Sequence, residues 1–325
     1  MGAKDMESKK IHSPDILKKL LAGEGTLIVI LAVLFVVLTA TSDSFLTINN
    51  LSNLVRQTAI VGVVAIGMSF VIITGGIDLS VGAVVGFSGI LSTILMKNGM
   101  DMILAIIVSI LCSMLIGLVN GILIHNGKVP PFIATMGIMA IVRGMIMLVS
   151  GARMIAGLPK AFTNFAQINI IWIPSLFFVW LLVIFAAAFI TKWTVFGRNV
   201  YAVGSNTEAA RLSGINVKTV IYRTYILSAF TSAIAGILMT SRLGNGIPTA
   251  GQGYEMDAIA AAVLGGASLS GAEGTILGTV LGAIIMATLR NGGNLLGINP
   301  FILDISIGAL IIIAVLIDQN TKGKK

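Results

Sequence analysis

The chain has 325 residues, 56% of them hydrophobic and only 10% charged, with a mean hydropathy of +1.01. Soluble domains carry about 25% charged residues, so the composition excludes a soluble fold and points to a polytopic membrane protein. The formal net charge is +8, but the basic residues are scattered between apolar runs without a dense stripe or interleaved aromatics, which excludes nucleic acid as a partner.

Residues 1–25 read as a polar leader carrying Lys4, Lys9, Lys10, Lys18 and Lys19. No small-residue cleavage site follows the first apolar run, so that run is expected to remain as an uncleaved span. Apolar runs of bilayer length are expected at 26–41, 58–74, 80–96, 102–124, 132–150, 174–191, 220–241, 256–269, 274–290 and 301–318. They define an all-α polytopic fold of about ten transmembrane helices, some short or broken, within a transmembrane domain at 26–318. A basic tail follows at 319–325.

The first break is Thr74-Gly75-Gly76-Ile77-Asp78-Leu79-Ser80. Interrupted helices in a transporter place unwound backbone against a polar cavity, which makes Gly75 and Gly76 candidates for a substrate path. A carboxylate at bilayer depth costs about 2.5–3.5 kcal/mol and must face protein or water. Asp78 is therefore read in two ways, as a partner for substrate hydroxyls or as the cap of a helix starting near Ser80. Cys112 lies in an apolar run as a small packing residue, and one cysteine excludes an internal disulfide framework. Arg143, deep in its run, needs an acidic or carbonyl partner, and a buried ion pair is the expected one.

The longest polar stretch is FGRNVYAVGSNTEAARLSGINVK, Phe196 to Lys218, inside a loop at 192–219. Ser205 and Glu208 have the spacing of a capping box, and Gly214 stands where a left-handed residue ends a helix. Between them Asn206, Ala209, Arg211 and Leu212 build about two turns of a stiff, small-faced helix suited to being pushed by a partner. Further on, PTAGQGYEMD (Pro248 to Asp257) has an irregular glycine backbone. Its Tyr254, Glu255 and Asp257 are either ordinary helix-start residues or an outer gate on the substrate path. A second break, Leu264-Gly265-Gly266-Ala267-Ser268-Leu269-Ser270, repeats the G-G-x-x-L-S pattern, and Ser270 with Glu273 reads as a second capping box.

Charge sets the orientation. With the N-terminus in the cytoplasm, the leader lysines, Lys128, Lys192, Arg198, Arg211, Lys218 and the tail lysines collect inside, leaving a minority outside. The positive-inside rule then puts both termini and the 192–219 loop in the cytoplasm.

TGGIDLSVGA, FGRNVYAVGSNTEAARLSGINV and PTAGQGYEMDAIAAAVLGGASLSGAEGTILGTVLGA occur in this order. They resemble the inner-membrane permeases of bacterial monosaccharide ABC importers, most of all the ribose permeases. The resemblance runs from about Leu46 to Asp318. It implies a homodimeric, lipid-embedded permease that takes a monosaccharide from a periplasmic or lipid-anchored binding protein. It also implies that a separate cytoplasmic ATPase, which uses ATP and Mg, drives transport. The stretch Asn206–Gly214 corresponds to the helix that docks on that ATPase.

The residues themselves add that this chain binds no cofactor. No G-x-x-x-x-G-K-[ST] occurs to cradle phosphate. His12 and His125 are far apart and away from other ligand types, so no metal site is expected. Without a nucleophile–base pair, catalysis is not expected. The rival reading is an ion-coupled secondary sugar transporter using Asp78, Glu255, Asp257, Glu273 or Asp304.

Overall fold

The computed structural model describes residues 24–322, and side-chain burial as far as Leu316. The leader lysines, His12, Lys324 and Lys325 lie outside the described residues. Every expected apolar run overlaps a helix, although in the run at 256–269 the helix ends at Leu264. In chain order these are α1 Glu24–Thr41, α2 Ile48–Ile73, α3 Val81–Lys97, α4 Met102–His125, α5 Pro131–Ser150, a short α6 Lys160–Phe165, and α7 Ser175–Trp193. They are followed by α8 Val195–Ser205, α9 Thr207–Leu212, α10 Val217–Leu243, α11 Tyr254–Leu264, α12 Ile276–Leu295 and α13 Pro300–Lys322. Seven of the described helices are long and apolar enough to cross a bilayer, and α3 and α13 add shorter apolar stretches.

Two helices form the centre. From Thr58 to Ile73 every residue of α2 is buried, and α10 packs along α2, α3 and α4. Lipid tails are as apolar as leucine, so tight helix contact comes from small residues and interhelical hydrogen bonds. Gly236 of α10 is one such point: a Cβ there would lie 2.2 Å from the Val85 carbonyl of α3. Beside it the Ser88 hydroxyl donates to the Ala233 carbonyl at 3.1 Å. The outer helices instead carry exposed apolar side chains such as Leu111, Leu115, Leu182 and Phe185, the surface expected against lipid.

The bundle has two distinct ends. At one, Tyr222 of α10 donates to Asn126 beyond α4 (2.6 Å), and Tyr201 of α8 donates to the Gly274 carbonyl (2.8 Å). At the other, Ser241 of α10 donates to the Phe162 carbonyl of α6 (2.6 Å) and Arg56 of α2 to the Ala166 carbonyl (3.1 Å). A two-stranded hairpin, β1 Asn169–Ile170 with β2 Ile173–Pro174, covers this second end.

Candidate functional site

The polar stretch builds two helices rather than one. Thr194 caps α8 by accepting from the Gly197 amide (3.1 Å), and α8 runs through Ser205. Asn206 then turns to extended backbone and caps α9, its Oδ1 accepting from the Ala209 amide at 2.8 Å. The expected Ser205–Glu208 box is therefore not formed. Ser205 is the last residue of the preceding helix, so its hydroxyl cannot reach back over the start of α9. Glu208 pairs along the helix with Arg211, whose Nε donates to it at 3.0 Å, and this bond holds the exposed Glu208 carboxyl below the usual carboxylate range.

The far end of α9 follows expectation. Gly214 is left-handed (φ 83°), its amide donates to the Arg211 carbonyl and that of Ile215 to the Ala210 carbonyl, both at 3.0 Å. This is a Schellman stop. Ala210 is buried, while Ala209 and Leu212 face solvent, Leu212 at 74% exposure.

The two glycine breaks end their helices alike. Gly75 (φ 80°) and Gly266 (φ 88°) are left-handed, with Gly76 donating to the Val71 carbonyl and Ala267 to the Ala262 carbonyl. A side-chain turn follows in each: the Ser80 amide donates to Asp78 Oδ1 (3.0 Å) and the Ser270 amide to Ser268 Oγ (3.2 Å). After the first break α3 resumes at once. After the second, positive φ at Gly271, Ala272 and Gly274 delays α12 until Thr275 caps it, accepting from Gly278. Ser270 and Glu273 thus do not begin a helix, because left-handed backbone intervenes.

The breaks are neighbours at the α8–α9 end. The Ala272 amide donates to the Ile73 carbonyl at 2.9 Å, and Gly204, the penultimate residue of α8, is wedged between them. Gly75 and Gly76 line a cavity of about 230 Å³ together with Thr207 of α9 and Tyr225 of α10.

Asp78 does not line that cavity. It is 1% exposed, accepting from Ser80 through Oδ1 (hydroxyl at 2.6 Å) and from Ser228 Oγ of α10 through Oδ2 (2.8 Å). Asn120 of α4 donates in turn to Ser80 Oγ at 2.9 Å. Asp78 thus closes the turn just before α3, whose N-cap is Ser80 without a side-chain cap, and ties that turn to α10. The sequence reading missed Ser228 as its partner and Asn120 as the support of Ser80; Asn120, an amide inside an apolar run, was the available signal.

Arg143 departs from expectation. It donates to the Ala250 carbonyl at 2.7 Å in place of an ion pair, because Glu255, the carboxylate that attracts it, is turned towards the start of α11. Glu255 Oε1 accepts from the Gly253 amide (3.2 Å), and its other oxygen is packed against Gly82 of α3.

Tyr254 and Asp257 do come together, in a cavity of about 620 Å³ at the end opposite α9. Arg290 of α12 grips Asp257 through Nε (3.0 and 2.9 Å to its two oxygens) and through its terminal nitrogen (2.7 Å). Arg290 also reaches Asp304 of α13 at 3.1 Å. Gln57, Arg242, Gln252 and Asn294 complete the polar wall. Nothing in the sequence marks Arg290 as the partner of Asp257, because the pairing joins α11, α12 and α13, which only packing brings together. Among the described residues no group of three or more His, Cys, Asp or Glu side chains could hold a metal ion.

The chain is similar to curated transport proteins along nearly its whole length. It is 42% identical to the ribose import permease protein RbsC of Bacillus subtilis, covering 97% of both chains. It is 36% identical to the D-allose transport system permease protein AlsC of Escherichia coli, covering 91% of each. Identity is also 36% to the galactose/methyl galactoside import permease protein MglC of Escherichia coli, over 93% of this chain and 96% of that one. No solved structure matches. Residues 50–315 match the model of one family, the permease component of branched-chain amino acid transport systems. With that match spanning the two breaks, the α8–α9 loop and the polar cavity, the chain belongs to this permease family.

Proposed function

We propose that the chain is the membrane-spanning subunit of an ATP-driven importer in the bacterial inner membrane, moving a small neutral sugar of the ribose, allose or galactose kind. Relatives whose names give these three sugars align with it almost end to end. A cytoplasmic ATPase, using ATP and Mg, docks on α9, and a periplasmic or lipid-anchored binding protein delivers sugar at the opposite end. A second copy of the chain completes the path. Both termini then lie in the cytoplasm, as the basic residues favour.

The observation that carries the coupling role is α9 itself. It is capped at both ends, its Ala210 is anchored in the bundle, and it presents small Ala209 and 74%-exposed Leu212 outward. A surface leucine beside a small residue on a rigid support suits insertion into a groove. Through Gly204 a push on α9 reaches both helix breaks, and through Gly214 it reaches α10.

The test is uptake of labelled ribose, allose, galactose and leucine into vesicles holding permease, cognate ATPase and binding protein. Sugar uptake that needs ATP and persists with sodium absent and the proton gradient collapsed is expected. Uptake driven by an ion gradient without ATP would install the secondary-transporter reading instead. In the same system Ala209→Glu should abolish co-purification of the ATPase, and its normal retention would remove α9 from the coupling role.

A further inference from the structure

The loop before α11 is docked on α3 through two glycines. A Cβ on Gly82 would lie 2.4 Å from the Gly251 carbonyl oxygen, and one on Gly86 would lie 2.8 Å from that of Ala250. Gly251 and Gly253 take left-handed backbone (φ 73° and 83°) to make this approach. Two opposite charges grip the docked loop. Arg143 of α5 donates to the Ala250 carbonyl at 2.7 Å, and Glu255 Oε1 accepts from the Gly253 amide at 3.2 Å.

Those charges are neighbours without being partners. Arg143 Nη1 lies beside Gly86 and Glu255 Oε2 beside Gly82, one turn apart on α3, a rise of about 6 Å. Among the described residues the ion pairs are those of Arg211 and Arg290, and neither Arg143 nor Glu255 enters one. Glu255 Oε2 is buried and has no hydrogen-bond partner among the described residues. A buried carboxylate oxygen left unpaired is unfavourable, and a cation one turn away attracts it strongly where the dielectric is low. The loop's backbone holds each side chain and keeps the two apart.

We propose that Arg143 and Glu255 form a two-position latch on this loop, a role that rests on the importer reading above. With the loop docked they hold its Ala250 carbonyl and Gly253 amide, as in this structure. When the loop withdraws from α3 they close on each other as an ion pair. The pair satisfies Glu255 Oε2 and offsets the contacts given up, which makes the loop bistable. Gln252 and Gly253 of the loop belong to the wall of the outer cavity, so its movement reshapes that wall. Arg143 is not part of the wall and acts by positioning the loop.

The experiment reads loop docking by labelling. Cys112, the one native cysteine, is replaced (Cys112→Ala), and Ala250→Cys is added in the full complex with ATPase and binding protein. Labelling by a membrane-impermeant maleimide is timed without nucleotide and after trapping with ATP and vanadate. The rate should rise on trapping by about fivefold or more, the lower end of allosteric coupling. Glu255→Gln keeps an oxygen for the Gly253 amide but cannot pair with Arg143, so labelling should stay slow in both states. Arg143→Met loses the donor to Ala250, so labelling should be fast in both states. Arg143→Lys keeps donor and charge and should restore the rise.

Equal rates in the two nucleotide states, in a complex that imports sugar, would overturn the latch, as would a normal rise in Glu255→Gln. A purely structural role would move Glu255→Gln and Arg143→Met in the same direction. The importer reading fails separately, if that complex takes up none of the sugars. If Arg143→Met does not fold, Glu255→Gln and Arg143→Lys carry the measurement.

Discussion

Gly204→Ala probes the junction between the α8–α9 loop and the two helix breaks. A Cβ there would lie 1.8 Å from the Ile73 carbonyl oxygen and 2.8 Å from the Ala272 nitrogen, where ordinary contact begins at 3.4 Å. The end of α8 must therefore retreat by the difference, roughly 1.6 Å, or the breaks must separate. The obstructed atoms are backbone, which no rotamer change can clear. Overpacking of this kind costs about 1–3 kcal/mol. The Ala272 to Ile73 hydrogen bond, 2.9 Å long, stands in the path of the new methyl, and its loss adds about 0.5–1.5 kcal/mol. Asn206, two residues on, is the cap of α9, so the retreat moves the coupling helix relative to both breaks.

The assay is thermal stability of the purified complex together with sugar moved per ATP hydrolysed in vesicles. The variant should melt earlier and lose at least tenfold in sugar moved per ATP, which corresponds to about 1.4 kcal/mol. ATPase co-purification should persist, since Ala209 and Leu212 are unchanged. Wild-type melting and wild-type coupling in Gly204→Ala would refute the wedge and the transmission route built on it.

Two further outcomes follow from the hydrogen bonds. Asp78→Asn should keep transport within about twofold, because one amide oxygen can still cap the turn while the amide nitrogen donates to Ser228. Asp78→Leu strands the hydroxyls of Ser80 and Ser228 and should destabilise by about 2–4 kcal/mol, read as loss of folded protein in detergent. At α9, Asn206→Ala should weaken the helix by about 0.5–2 kcal/mol and speed amide exchange there, whereas Ser205→Ala should leave exchange unchanged. The reverse order would restore Ser205 as the cap.

The sequence by itself determined the class, the apolar helices and the two breaks, because these depend on local properties: hydropathy over bilayer length and glycines able to take left-handed backbone. Gly75, Gly214 and Gly266 adopt that conformation in the structure. The family was legible too, since three long segments occur in one order and the relatives align end to end. Local spacing misled where two adjacent residues competed for one role. Ser205 has the spacing of a cap, yet α8 extends through it and hands the cap to Asn206.

Tertiary structure alone decided which polar groups meet. Asp78 is joined to Ser228, 150 positions away, Arg143 to the Ala250 carbonyl, and Arg290 to Asp257 and Asp304 on two other helices. A buried charge in lipid must find a partner, which is why the sequence shows that each needs one. Which partner is reached depends on how helices far apart in the chain are placed side by side, and that is set by close packing at small residues along α2 and α10 rather than by anything local to the charge.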